Sequence, residues 1–203
     1  VFNQSYGGSD IFPRAYDPEN DLELGITEDA MMKVTQTNGN GRGAAFVKSA
    51  GNGFSFFGLG QYFILPGNYF SAAEAGEVRN HGLPMENSNG EISDANFWNT
   101  VVSATNADGV HSSYSSVGAN VFMTATGGEY GSDSPAMVTI DLMGCDAGFN
   151  KADGLGENGL HGGTEIDPEC NYTSVMNGTS SAAPSMSGAI AMVMSANKKI
   201  TAR

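Results

Sequence analysis

Basic side chains are scarce in this chain. Lysine and arginine number 9 against 22 aspartates and glutamates, a formal net charge of −13 over 203 residues. Such a negative surface repels phosphate backbones and anionic headgroups, so no nucleic acid and no membrane surface is expected as a partner. Long apolar runs are missing too: no stretch approaches the ~20 residues of a membrane span. The histidines are His81, His111 and His161 and the cysteines Cys145 and Cys170, and no Cys-x-x-Cys or Cys/His cluster offers a zinc set. Charged residues make up 15% of the chain and hydrophobic ones 40%, a globular rather than disordered composition. No linker or internal repeat divides it, and the length predicts one domain with a real core.

The two cysteines bracket an acidic, glycine-rich loop, from Asp146-Ala147-Gly148-Phe149-Asn150 to Asp167-Pro168-Glu169. An isolated pair around a loop reads as a disulfide in an exported protein; two free thiols in a cytosolic protein are the alternative. Closing a loop of this size stabilises a fold by about 3 kcal/mol in the chain-entropy picture. Asp146, Asp153, Glu157, Glu165, Asp167 and Glu169 could offer oxygens to calcium, but their spacing matches no calcium-binding loop. A solvated acidic loop is the simpler expectation.

Residues 1–5 read as a short strand ended by Tyr6-Gly7-Gly8. A helix is expected from Glu28 to Gln36, with Ala30, Met31, Met32 and Val34 on its apolar face. Asn38-Gly39-Asn40-Gly41 should stop it, since both residue types accept left-handed backbone. Ala44–Ala50 reads as a buried strand, and the strand–helix–strand order predicts a right-handed crossover and a parallel sheet. From about 54 to 93 the chain is rich in Gly, Asn and aromatics. It reads as an irregular insertion with one short strand near Tyr62–Leu65. Further strands are expected at Thr100–Ala104, Asn120–Thr124 and Met137–Asp141. The fold class expected is α/β with a mainly parallel sheet.

The most informative segment is Asn177-Gly178-Thr179-Ser180-Ser181-Ala182-Ala183-Pro184, which runs into Ser185-Met186-Ser187-Gly188-Ala189-Ile190-Ala191-Met192-Val193-Met194. A small polar turn delivers Ser180 to the first turn of a helix built from tiny and apolar residues. Unpaired N–H groups and partial positive charge at such a terminus favour an oxygen that is gaining negative charge. Pro184 is tolerated there, because a proline in the first turn removes an N–H that had no partner. A serine-capped buried helix without chemistry is the plain alternative.

This motif resembles the nucleophile signature of the subtilisin-like serine proteases, the subtilases, with Ser180 at the nucleophile. Three further segments resemble that family in order: Phe2-Asn3-Gln4-Ser5-Tyr6-Gly7, Phe46-Val47-Lys48-Ser49-Ala50-Gly51-Asn52-Gly53, and Asn99–Ala104 with Tyr114-Ser115-Ser116-Val117-Gly118. Ala50-Gly51-Asn52-Gly53 and Ala196–Thr201 look most like the kexin/furin branch and its bacterial relatives. The resemblance implies a three-layer fold, of which residues 1–203 would form the second half of the catalytic domain. It implies that Asn52 stands in the oxyanion hole, and that Ser5, Tyr6 and Gly7, with Ser49, Ala50 and Gly51, bind the substrate backbone. Asp10 matches an acidic residue at the base of the primary specificity pocket, to which Asp94 could contribute, so basic residues before the scissile bond are expected. Capping a turn is the other reading of Asp10. Calcium, as a structural ion without assigned ligands, is implied as well, although Ser116 stands where the branch has an acidic calcium ligand.

A subtilase triad runs Asp, His, Ser along the chain. No Asp-Ser-Gly or Asp-Thr-Gly follows an apolar strand here. His161-Gly162-Gly163-Thr164 echoes the family's His-Gly-Thr but lies in the cysteine-bracketed loop with no apolar helix behind it. His81 and His111 read as loop and strand-edge residues. The resemblance therefore implies a companion N-terminal segment of the same protease bearing Asp and His, a peptide or protein substrate, and a propeptide or chaperone. A non-catalytic peptide-binding fragment or pseudoenzyme subunit is the alternative.

Overall fold

The computed structural model describes residues 1–7, 22–54, 57–59, 62–65, 68–71, 86–131, 134–151, 159–160 and 162–202. Its centre is a four-stranded, wholly parallel sheet in the order β1-β2-β6-β7, made of β1 (Phe2–Gln4), β2 (Phe46–Ser49), β6 (Asn99–Thr105) and β7 (Val121–Thr126). These are the four strands the β-branched and apolar runs predict, shifted by a residue or two at their ends. Phe2 pairs with Phe46, and their rings stack at 5.0 Å.

Between β1 and β2 lies α1 (Leu22–Gly41), longer at its start than the apolar pattern indicates. Its regular helix ends where the sequence predicts. Asn38 is extended, and Gly39 and Asn40 take left-handed backbone at φ 60° and 59°, a conformation open to Gly and Asn and unfavourable for other residues. The Asn38 carbonyl accepts from Gly43 N at 2.8 Å, closing the helix end. Buried Met31 and Thr35 face inward, with Thr35 Oγ1 donating to the Ala44 carbonyl.

The region expected to be an irregular insertion has more order than that. It holds an antiparallel meander of β3 (Phe57–Leu59), β4 (Tyr62–Leu65) and β5 (Asn68–Ser71). The strands are separated by two residues each, Gly60-Gln61 and Pro66-Gly67, the length and composition of hairpin turns. The strand expected near Tyr62–Leu65 is β4; β3 and β5 beside it were hidden by the glycine and asparagine content around them. An antiparallel ribbon, β8 (Met137–Ile140) with β9 (Tyr172–Met176), stands apart from the main sheet. β9 was not foreseen, although Thr173-Ser174-Val175 is a strand-like run.

The last helix, α2 (Thr179–Ala196), covers one face of the parallel sheet. Ala182 and Ala183 are fully buried against Val47, Val102, Ala104 and Tyr114, with Met123, Ala125, Met186 and Ile190 around them. Two alanines at the contact let the helix backbone approach the sheet closely, which fixes where its first turn sits. Cys145 and Cys170 form a disulfide, which settles the choice that composition left open. Among the described residues no helix is long and apolar enough to cross a membrane.

Candidate active site

In an open parallel sheet, loops that leave the carboxyl ends of the strands gather on one edge, where such folds bind ligands. Ser5–Gly7 leaves β1 there, Ala50–Gly53 leaves β2 there, and the N-terminus of α2 meets both. Ser180 is the second residue of α2. Its carbonyl accepts from Ser5 Oγ at 2.9 Å, which ties the β1 exit to the serine turn across 175 residues of sequence. Ser49 Oγ donates to the Gln4 carbonyl at 3.3 Å, joining the exits of β1 and β2. The structure thus brings Ser5, Ser49, Ala50, Gly51, Asn52 and Ser180 to one edge. Asp10 lies outside the described residues, as do His81 and His161.

Asn52 is held by its acceptor side. Its Oδ1 accepts from Thr179 N at 2.8 Å and from Thr179 Oγ1 at 3.0 Å. Asn52 is exposed to solvent, and Nδ2 is the donor of its amide. Thr179 itself is fully buried, and its hydroxyl also lies 3.2 Å from both Gly51 N and Gly51 O. It clamps the Gly51-Asn52 turn to the start of α2. Gly51 and Gly178 both sit at φ +99°, backbone that side-chain-bearing residues rarely adopt. The glycines of Ala-Gly-Asn-Gly and Asn-Gly-Thr-Ser are therefore required by the turns that flank the serine.

Tyr114 anchors the same turn from below. Its hydroxyl accepts from Gly178 N at 2.8 Å and faces the carbonyls of Gly127 and Gly128, each at 2.8 Å. Burial pushes its pKa above the usual tyrosine value, with smaller opposing contributions from its hydrogen bonds, so it stays a donor. Neither Tyr114 nor Thr179 was singled out in the sequence. The signal for Tyr114 was its place in Tyr-Ser-Ser-x-Gly, but its partner lies 64 residues away.

Beside Ser180 opens a cleft of about 370 Å³, lined by Met137, Val138, Thr139, Met176, Ser181, Pro184 and Ser185. The β8–β9 ribbon forms its far wall. His111 sits at a strand edge, as expected, bridged to Thr105. Its Nε2 bonds the Ser115 carbonyl at 2.8 Å, and its ring meets Phe54 edge-on.

Asp94, a possible contributor to a specificity pocket, is buried and already engaged. It lies 2.7 Å from Lys48 Nζ, with Glu91 3.6 Å from the same ammonium. Burial lifts the Asp94 pKa from 3.8 to about 7, Lys48 opposing and Glu91 reinforcing the shift. Among the described residues no three His, Cys, Asp or Glu side chains gather as a metal-binding group. Asp167 is instead a structural staple: it accepts from Asn171 N, Tyr172 N and Asn150 Nδ2. Asp146, Glu165 and Glu169 are exposed, and Asp153 and Glu157 lie outside the described residues.

Comparison with known proteins bears on the family and the fold. A family model described as the Subtilase family matches residues 1–203. The chain is 50% identical over 205 residues to the Aeromonas extracellular serine protease of Aeromonas sobria, covering 100% of this chain and 30% of that protein. It is 51% identical over 150 residues to the microbial serine proteinase of Aeromonas salmonicida, covering 74% of this chain and 22% of that protein. It superposes with a TM-score of 0.82 on the crystal structure of the Aeromonas sobria serine protease in complex with its chaperone, at 49% identity, over 98% of this chain and 31% of that one. The chain thus spans under a third of the length of these relatives. With the family model matched from end to end and the subtilisin-like α/β fold in place, the chain belongs to the subtilase family.

Proposed function

We propose that this chain is the nucleophile-bearing part of a secreted serine endopeptidase. The observation that carries the proposal is the union of three segments at one sheet edge: Ser180 in the first turn of α2, Asn52 locked to Thr179 through Oδ1, and Ser5 bonded to the Ser180 carbonyl. The three similar proteins are each named serine protease or proteinase, and one is named extracellular.

In this reading Ser180 Oγ attacks the scissile carbonyl while its proton passes to a histidine on a companion segment, oriented there by an aspartate. The carbonyl π pair moves onto oxygen. That oxyanion is received by the Ser180 N–H and Asn52 Nδ2, held in place before the reaction. The C–N bond then breaks as the histidine returns the proton to the departing amine, leaving an acyl ester on Ser180. Water, deprotonated by the same base, hydrolyses the ester and frees Ser180. Ser5–Gly7 and Ser49–Gly51 supply backbone groups that pair with the substrate chain and fix its register.

A place in the kexin/furin branch rests on Ala50-Gly51-Asn52-Gly53 and Ala196–Thr201, and a preference for basic residues before the scissile bond rests on Asp10, since Asp94 is already engaged by Lys48. A chaperone partner is proposed on the strength of the relative's chaperone complex.

The test is fluorophosphonate labelling of the intact protease followed by peptide mapping. Label on Ser180 is the expected result. Folded protein that takes no label would instead be a peptide-binding fragment or pseudoenzyme.

A further inference from the structure

Lys48 lies in β2 on the sheet face opposite Val47, as strand alternation requires. It is 1% exposed, and two carboxylates hold its ammonium, Asp94 Oδ1 at 2.7 Å and Glu91 Oε2 at 3.6 Å. Lysine is almost never fully buried unless paired. A buried ion set is also, on balance, no more stabilising than well-packed apolar residues of the same volume. Stability alone therefore gives little reason for this cluster.

What lies on top of it gives a better one. A Cβ at Gly7 would fall 2.5 Å from Glu91 Oε2 and 2.8 Å from Lys48 Nζ, so the Gly7 backbone rests directly on the charged groups. The Lys48 ammonium is also 5.8 Å from the centre of the Tyr6 ring, within cation–π range. The β1–β2 ladder stops at Gln4 opposite Lys48, so Tyr6 and Gly7 stand beyond the strand pairing. Tyr6 is 66% exposed and gets little hold from burial. Ser93 Oγ donates to Glu91 Oε1, which fixes the carboxylate from behind.

We infer that Lys48, anchored by Asp94 and Glu91, is a positioning residue that sets the height of the Tyr6–Gly7 segment for pairing with a substrate backbone. Asp94 holds the ammonium in place, while Lys48 and Glu91 present the surface on which Gly7 sits. This inference rests on the reading of Ser5–Gly7 as the substrate-pairing edge.

The experiment uses the intact protease and two readouts. One is kcat and KM on a fluorogenic tetrapeptide amide ending in arginine. The other is the rate of inactivation by diisopropyl fluorophosphate, which reacts with the serine without pairing to an edge strand. Lys48→Met is the direct variant. The triple variant Lys48→Met/Asp94→Leu/Glu91→Gln removes the whole ion set without leaving a buried carboxylate unpaired and is the control if the single variant is unstable. The expected result is KM raised about tenfold or more with inactivation rate and kcat nearly unchanged, the signature of lost binding alignment. An unchanged KM in the folded triple variant would falsify the inference. So would a raised KM accompanied by matching losses of inactivation rate and thermal stability, since these mark a structural support. Wild-type protein that resists the fluorophosphate fails one stage earlier and sinks the enzyme reading together with this one.

Discussion

Tyr114→Phe is the substitution whose consequences follow most directly from the structure. The side chain is 3% exposed and keeps its ring packing in phenylalanine, so only the hydroxyl is lost. That hydroxyl is the acceptor for Gly178 N and sits between the Gly127 and Gly128 carbonyls. Gly178 is itself buried, so its N–H would have neither protein nor bulk water to bond. Leaving a buried donor unsatisfied costs about 1–3 kcal/mol, and the lost bond to the carbonyls adds about 1 kcal/mol more. The expected loss of unfolding free energy is therefore about 2–4 kcal/mol, read from urea denaturation of the intact protease with an unchanged m-value. Because Gly178 is two residues before Ser180, the nucleophile turn should also loosen. Displacements of about 1 Å at a reacting group can cost on the order of 100-fold in rate, so kcat should fall ten- to a hundredfold while KM changes little. A loss below about 0.5 kcal/mol with an unaltered acylation rate would refute the idea that Tyr114 anchors this turn, because exposed, non-anchoring substitutions fall within that range.

Three other outcomes are expected. Asn52→Ala should lower kcat by about 10²–10³ if Nδ2 meets the oxyanion; a variant with near-normal kcat in single-turnover assays would remove Asn52 from the mechanism. Replacing Cys145 and Cys170 together by alanine should lower stability by about 3 kcal/mol through the freed 25-residue separation, and calorimetry showing no change in Tm would contradict that. Asp94, lifted from 3.8 to about 7 by burial, binds a proton in the folded state that the unfolded chain releases. Its contribution to stability is thus full below about pH 4 and declines as pH rises to about 7. Asp94→Asn should flatten that part of the stability–pH curve, and a wild-type curve that rises more steeply than the variant's over this window would show the sign to be wrong.

Three strands of the central sheet were legible as short β-branched or apolar runs bounded by turn residues, and β1, Phe2-Asn3-Gln4, by the turn residues Tyr6-Gly7-Gly8 that follow it. The end of α1 was legible for a related reason: Asn38-Gly39-Asn40 can adopt left-handed backbone where other residues resist it. Of the meander, β4 was legible as the apolar run Tyr62–Leu65, whereas β3 and β5, three and four residues long, were diluted by surrounding glycine and asparagine. β9 was missed because a five-residue strand after a cysteine loop has no meaning until β8 is placed beside it. At the site, Ser180 and Asn52 were found through motifs, whereas Thr179 and Tyr114 appear as anchors only once their partners are known.

By itself the sequence determined the local chemistry: a serine at a helix N-terminus, glycines where φ is positive, a cysteine pair around an acidic loop, and a net charge of −13. These are properties of contiguous residues, because capping, left-handed backbone and net charge do not depend on distant partners. Tertiary structure alone decided the rest. Asn52 meets Thr179 across 127 residues, and the Lys48 ammonium finds Asp94 through a loop 46 positions further along the chain. Such meetings are set by strand register and by how closely two alanines let α2 approach the sheet, and hydrogen bonds and ion pairs form or fail over a few tenths of an ångström.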